Sequence, residues 1–464
     1  MRELDRYCEL KRPEFVVVYG RRRVGKTYLI REYFHGAFSF YATGVAGRNK
    51  ASQLAAFCAS LKRYGGRGDA GTWLEAFEEL RVLLEDQDVA RDAKCGKRVV
   101  FIDELPWLDT QHSGFLTALD FFWNSWGSAQ EELLLIVCGS ATSWIVENLF
   151  ANRGGLHNRV TGRIFLEPFT LGECEQYYRA NEIELSRREM IESYMVFGGI
   201  PFYLDLLDRR LGLAQNIDRL CFSKKGQLRG EFEELFRSLF RKADRHIAIV
   251  RALHTKGSGA TREEIIGLSG IGDGGALSTN IEELEQCGFI RSYRDFTRTS
   301  RGKLYQLIDP FTLFWLRFVE GSADEHWWSA NYGSARLRAW SGRAFELACL
   351  LHVPQMLRAL GVWGVSVDAC AWRSKKSSLG AQIDLVLDRA DGVVNLCEMK
   401  FSDGPFAIDK ACDASLRAKR SVFAEESKTR KALHITMVCP YGIGETAYRW
   451  TPQSVITGDD LFAL

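Results

Sequence analysis

Residues 20–27, Gly20-Arg21-Arg22-Arg23-Val24-Gly25-Lys26-Thr27, have the spacing G-x-x-x-x-G-K-[ST]. These residue types suit one task, holding a polyphosphate. The glycines let main-chain N–H groups curl around phosphate oxygens. A helix opening at Lys26 adds about half a positive charge at its first turn. Lys26 is expected to bridge the β- and γ-phosphates and Thr27 to hold Mg²⁺, with Tyr28 at the edge of the loop.

A partner follows in Arg98-Val-Val-Phe-Ile-Asp103-Glu104, an apolar strand that ends in two acids. Asp103 is expected beside the Mg²⁺ shell, and Glu104 as the base that polarises an attacking water. A second apolar run, 133–138, ends at Gly139-Ser140-Ala141-Thr142. Ser140, at the tip of a neighbouring strand, is expected to touch the γ-phosphate or that water. Arg153, Arg159 and Arg163 follow in NRGGLHNRVTGRIFLEPFT. Each reads as a solvated or structural arginine, or as one presented to a neighbouring subunit's nucleotide, for which Arg159 is chosen. Gly198-Gly199-Ile200-Pro201 interrupts a helical stretch. It reads equally as a wedge against the adenine through Pro201 and as a plain turn.

These residues need elements to position them. Up to residue 209, short apolar strands (15–19, 98–102, 133–138) alternate with helical stretches such as 28–34, the pattern of βαβ units. Strands apolar throughout belong to a parallel sheet covered on both faces. Residues 210–321 are mostly helical. Stretches 247–254, 261–268 and 274–287 precede strands 289–294 and 303–308, the order of a winged helix-turn-helix. Thr261-Arg262-Glu263-Glu264 reads as a capping box. Ser278, Thr279 and Asn280 occupy the recognition helix, where they could reach base edges. Glu282, Glu283 and Glu285 on the same stretch would repel phosphates unless turned inward. The basic run with Arg291, Arg294, Arg298, Arg301 and Lys303 reads as a phosphate-contacting wing. Trp327, Trp328 and the aromatic run 311–318 read as packing. Residues 322–464 open with a helix around 343–360, followed by strands 383–387, 393–400 and 434–438.

The first segment resembles the archaeal-type ATPase family within the AAA+/STAND group, through YGRRRVGKTYLI, VVFIDELPWL, LLLIVCGSATSW, GGLHNRVTGRIFLEPFTLGE and GGIPFYL. The resemblance implies a winged helix and then a C-terminal domain that resembles restriction-endonuclease folds; ATP with Mg²⁺ is the expected ligand of the first segment, and ATP binding is expected to promote self-association. Only Arg2-Glu3-Leu4 remains of the segment with which that family usually begins.

The third segment carries a second constellation. If 383–387 and 393–400 form a hairpin turning at Ala390-Asp391-Gly392, with Gly392 at positive φ, positions 384 and 398 are equidistant from 391. Asp384 and Glu398 then face each other with Cβ atoms about 5 Å apart, a repulsion that a divalent cation would reverse. Lys400, two residues beyond Glu398, shares its face. The pattern resembles the D…E-x-K arrangement of PD-(D/E)xK nucleases, and the resemblance includes an upstream helix acid, Glu346. It implies Asp384, Glu398 and Glu346 as Mg²⁺ ligands, Lys400 orienting or activating a water, and Lys410 reaching the phosphate.

The expected fold class is α/β: a P-loop NTPase parallel sheet in 1–209, a winged-helix region in 210–321 and a restriction-endonuclease-like α/β domain in 322–464. The expected function is an ATP-hydrolysing switch coupled to a Mg²⁺-dependent nuclease-like domain acting on nucleic acid, DNA before RNA. The alternative is a nucleotide-dependent regulator of a protein partner with an idle third domain. Over the 464 residues the net charge is only +2, so any polyanion site must be a local patch. No apolar run approaches the ~20 residues that span a bilayer. The twelve cysteines include no C-x-x-C pair, which with the charged start MRELDRYCELKRPE points to the cytoplasm and no membrane partner.

Overall fold

A computed structural model describes the chain except residues 152–155, 157, 241, 297–302 and 375–380. It forms two units, Met1–Glu167 and Pro168–Leu464. The first holds β1 (Glu14–Tyr19), β2 (Phe40–Thr43), β3 (Arg98–Asp103), β4 (Leu133–Gly139) and β5 (Gly162–Phe165). They make one parallel sheet in the order β2-β3-β4-β1-β5. The strands are apolar throughout because helices cover both faces. Phe15, Val17, Val100, Ile102, Leu135 and Val137 pack toward the helices Trp73–Glu85 and Phe115–Ser125. Their neighbours Val16, Val18, Val99, Phe101, Leu134 and Ile136 face Ile30, Phe34 and the first helix, Arg2–Glu9. The order puts β4 between β1 and β3. The loop after β1, the acids ending β3 and the residues after β4 therefore share one edge, the carboxyl ends of the strands, where open α/β sheets bind ligands.

The second unit begins with two helices, Leu171–Ala180 and Arg187–Phe197, each opened by a capping box (Thr170 with Glu173, Ser186 with Glu189). Helices Ala243–Lys256, Arg262–Ser269 and Gly275–Gln286 then lead into the antiparallel ribbon β6 (Ile290–Arg294) and β7 (Lys303–Leu307). Thr261 and Glu264 form the expected capping box. The acids of the third helix turn partly inward. Glu283 lies 2.6 Å from His246, and Glu285 accepts from the Ser292 amide and hydroxyl at 2.8 and 2.6 Å. Asn280 was expected at a base edge, but it is buried with its amide 3.2 Å from His246, while Thr279 is exposed.

The ribbon is not a free wing. Asp295 bridges Ala371 in parallel, and the Phe296 amide donates to the Ala371 carbonyl at 2.8 Å. Arg298 and Arg301 lie outside the described residues. Trp327 and Trp328 pack with Phe222, Phe318 and Trp340, as expected of core aromatics.

The unit closes with the helix Ala335–Leu351 and strands β8 (Val367–Arg373), β9 (Gln382–Arg389), β10 (Val393–Met399), β11 (Ala432–Cys439) and β12 (Ser454–Thr457). The helix expected over 343–360 breaks at His352. Pro354, which has no N–H to donate, sits in the first turn of the next helix, Val353–Ala359. The sheet order is β12-β11-β10-β9-β8, antiparallel among β8, β9 and β10 and parallel among β10, β11 and β12. The helix Lys410–Ser427 makes the crossover that a parallel β10–β11 pair requires.

Candidate functional sites

The loop after β1 is shaped by backbone conformations that few side chains tolerate. Gly20 has φ +143°, Arg23 φ +74° and Gly25 φ +88°. A Cβ on Gly20 would lie 2.2 Å from the Leu166 carbonyl oxygen. At Gly25 a Cβ would meet nothing within 4 Å, so the hollow in front of the helix Lys26–Tyr33 is open. The Lys26 ammonium is buried and donates to the Gly20 and Arg21 carbonyls, both at 2.9 Å. Arg21 and Val24 are buried, Arg22 exposed and Arg23 half-buried. Tyr28 is exposed at the edge.

The acids sit where the sheet order puts them. Thr27 Oγ1 donates to Asp103 Oδ2 at 2.8 Å. The other Asp103 oxygen accepts from the Cys138 thiol at 2.6 Å and the Glu104 amide at 2.9 Å. Burial foremost, and then the charge of Asp103, pushes that thiol well above its ordinary range and keeps it protonated. Glu104 has φ +48°, a non-glycine residue in the left-handed region, and such strain gathers at functional sites. Its carboxylate accepts from Ser140 Oγ at 2.9 Å. Ser140 therefore touches the expected base itself.

The arginines divide. Arg159 is exposed, whereas the Arg163 guanidinium lies over the Phe150 ring at 4.1 Å and is spoken for. Arg153 lies outside the described residues. In the second unit, Gly198 closes the helix Arg187–Phe197 in the left-handed conformation and Pro201 begins the helix Pro201–Asp205. A Cβ on Gly199 would lie 2.1 Å from the Phe169 carbonyl oxygen, so this stretch is a tight turn in its own right.

The second constellation lies on β9 and β10. Gly392 has φ +87° at the hairpin, and Cys397 pairs with Leu385, so the register continues to Glu398 opposite Asp384. Glu398 is bonded by two lysines, Lys400 at 2.8 Å and Lys419 at 2.7 Å. Burial pushes its carboxyl up, but the two ammonium groups outweigh that and hold it below its ordinary range. Burial likewise opposes the charge of Lys400, yet Glu398 lifts it above its ordinary value. Glu346, on the helix Ala335–Leu351, is pushed up to about 7 by burial and then by the charges of Asp384 and Glu398. Asp384 accepts from the Gln382 amide. Lys410, expected to reach the phosphate, is exposed at the start of its helix, and Lys419, nine residues on in the same helix, is the lysine that bonds Glu398. Among the described residues no group of three or more His, Cys, Asp or Glu could hold a metal ion. Glu346, Asp384 and Glu398 are thus not assembled into a three-carboxylate cluster.

Residues 1–207 match the profile of a family described as an ATPase domain predominantly from Archaea. This segment is an archaeal-type ATPase domain. The match spans the parallel sheet and runs on through the helices up to Asp205. An uncharacterized protein of Methanocaldococcus jannaschii is 24% identical over 314 residues, 66% of this chain. The chain spans 64% of the length of that curated relative. Among solved structures, the Walker-type ATPase of Pyrococcus abyssi is similar with a TM-score of 0.49 and 20% identity, over 68% of this chain and 94% of that one. The ORC2 protein of Aeropyrum pernix, in ADPNP–ADP complexes, reaches a TM-score of 0.40 and 14% identity, over 69% and 90%. Among the described residues no helix is long and apolar enough to cross a membrane.

The residues of the ATPase domain fit its ligands. The open hollow at Gly25 and the buried Lys26 suit a polyphosphate, and the Thr27 hydroxyl and Asp103 carboxylate are the hard oxygens Mg²⁺ prefers. Two participants carried no sequence signal, Cys138 on Asp103 and Lys419 on Glu398. A buried strand cysteine reads as core, and a helix lysine among several has no distinguishing spacing.

Proposed function

We propose that the chain is an ATP-binding and ATP-hydrolysing switch coupled to a Mg²⁺-dependent, nuclease-like site that acts on nucleic acid. In this reading 1–209 is the ATPase with its helical lid, 210–321 the winged-helix region and 322–464 the nuclease-like domain. The observation that carries the first half is the contact of Thr27 with Asp103 beside the open loop. Lys26 exchanges the Gly20 and Arg21 carbonyls for β- and γ-phosphate oxygens. Glu104, aimed by Ser140, orients the attacking water and takes its proton. Thr27 and Asp103 would hold Mg²⁺ at this site, and Asp384 and Glu398 at the other. Bound Mg²⁺ supplies neutralisation of phosphate charge and a more acidic water. At the second site Lys400, kept charged by Glu398, positions the nucleophilic water. Arg159, exposed, is available to a neighbouring copy when ATP drives self-association.

Lys26→Ala is expected to abolish ATP binding in calorimetry, and undiminished affinity would overturn the first half. Incubation of the whole protein with labelled DNA or RNA, Mg²⁺ or Mn²⁺, and ATP tests the second half. Cutting that persists in Asp384→Ala and Lys400→Ala would overturn it. A different reading, a nucleotide-dependent regulator of a protein partner with an idle third domain, draws support from the two lysines that occupy Glu398 and from the missing three-carboxylate cluster. A calorimetric titration that detects no ion at Asp384 and Glu398 favours it.

A further inference from the structure

The ribbon β6–β7 closes over one side of Asp384. Besides the Asp295 and Phe296 contacts to Ala371, Arg294 pairs with Asp368 at 2.5 Å, and the Phe296 ring packs on Phe423 at 4.9 Å. Arg373 reaches back from β8 to Ser258 Oγ at 2.7 Å. Between ribbon and sheet lies a cavity of about 150 Å³ lined by Arg291, Tyr293, Gln306, Arg373, Gln382 and Asp384. That is room for several waters, or for a group of phosphate size.

The chemistry of the lining agrees with the size. Arg291 and Tyr293 alternate along β6 and share a face. Arg291 Nε donates to Gln306 Oε1 at 2.9 Å, and its guanidinium lies 4.8 Å from the Tyr293 ring centre, so the fork is held in one orientation. The Tyr293 hydroxyl is itself anchored, donating to the Ser258 carbonyl at 2.7 Å. Lys256, also on the wall, is paired with Glu264 at 2.5 Å. Among the described residues no carboxylate lies within ion-pair distance of Arg291. A half-buried guanidinium held in one orientation, with two nitrogens not used on Gln306 and within ion-pair distance of none of the lining carboxylates Glu264, Asp295 and Asp384, is built to take an oxyanion.

We propose that β6 supplies Arg291 to the Asp384 site, where its guanidinium binds a backbone phosphate of the nucleic-acid strand adjoining the one at the carboxylates. The ribbon then belongs to the active pocket of the sheet and is not a separate reader of duplex grooves. This rests on the nuclease-like reading of Asp384 and Glu398. It goes beyond that reading in placing the phosphate contact of Arg291 inside the Asp384 pocket instead of on a free wing.

Binding of the whole protein to a labelled single-stranded oligodeoxynucleotide and its RNA counterpart, followed by anisotropy with Ca²⁺ in place of Mg²⁺, tests it. Arg291→Gln is expected to weaken the strand about tenfold, the loss of one charge-assisted contact. The slope of log affinity against log salt should flatten by about 0.7, one single-strand phosphate. ATP turnover should stay at the wild-type rate. Should the glutamine variant fail to fold, Gln306→Leu, which removes the group that orients the fork, should cost several-fold in affinity. Unchanged affinity and slope in these variants, with strand cutting still abolished by Asp384→Ala, overturn the Arg291 assignment and leave the nuclease reading standing. Wild-type protein that binds neither strand overturns both.

Discussion

Glu104 and Ser140 show how single residues divide a task. In the mechanism proposed above, Glu104 needs its carboxylate at a fixed angle to a water, and a glutamate side chain left to itself samples several rotamers. The Ser140 hydroxyl, 2.9 Å away, removes that freedom. Glu104→Gln should therefore cut ATP turnover by about 10²–10⁴, the usual worth of a general base, with ATP affinity retained. Ser140→Ala should lower turnover by less than that and leave affinity unchanged, which separates aiming the base from binding the phosphates. Phosphate-release kinetics beside calorimetry on the same two variants give both numbers; a Ser140→Ala protein with full turnover would remove Ser140 from the mechanism. Lys419 makes the same point at the second site, since with Lys400 it keeps Glu398 charged despite burial.

The elements decide what the loop after β1 can tolerate. Gly20 sits where β1 ends and the chain passes under Leu166, at φ +143°. Gly20→Ala drives a methyl group to 2.2 Å from a carbonyl oxygen that cannot move without lifting the segment after β5. The expected cost is about 1–3 kcal/mol, the range of overpacking and backbone strain, together with loss of ATP binding because the loop turns away. A urea titration of the variant would show the shift, and an unchanged midpoint would mean the turn is softer than its geometry implies. The β9–β10 hairpin was legible for a related reason. A glycine at positive φ sets the turn, and the turn sets the register, so Asp384 and Glu398 could be paired from counting alone. The docking of β6 along β8 was not legible, because neither strand's own pattern names its edge partner.

Across the second unit, two titratable groups, buried His352 and half-buried Glu346, pull stability in opposite directions. His352 is held near 4 by burial, its Nδ1 donating to the Ala348 carbonyl and its Nε2 accepting from the Leu171 amide. Below its unfolded value of 6.5 the unfolded chain binds the proton more readily, so stability falls as pH drops from 6.5 toward 4, by about 3 kcal/mol in all. Glu346 has the opposite sign. Its native value near 7 exceeds 4.5, so the folded chain holds the proton more readily and stability falls as pH rises from 4.5 toward 7. Between 4.5 and 6.5 the two slopes offset. Glu346→Gln should unmask the histidine, giving a protein whose urea midpoint climbs over that interval more steeply than the wild type's in metal-free buffer. Parallel curves for the two proteins would show that Glu346 does not titrate as its surroundings require.

Sequence alone determined the parts whose physics is local. A loop that needs glycines, a lysine and a threonine in one stretch is written in consecutive residues, as is a strand apolar throughout because both faces are covered, or a hairpin whose turn fixes its register. Tertiary structure alone decided what depends on strand order and on contacts between distant elements. Placing β4 between β1 and β3 brings Cys138 to Asp103 and Ser140 to Glu104, turning the third helix inward buries Asn280, and laying β6 on β8 brings Arg291 to Asp384. The reason is that the apolar pattern of a strand states how deeply it is buried and says nothing of which neighbour takes its hydrogen bonds.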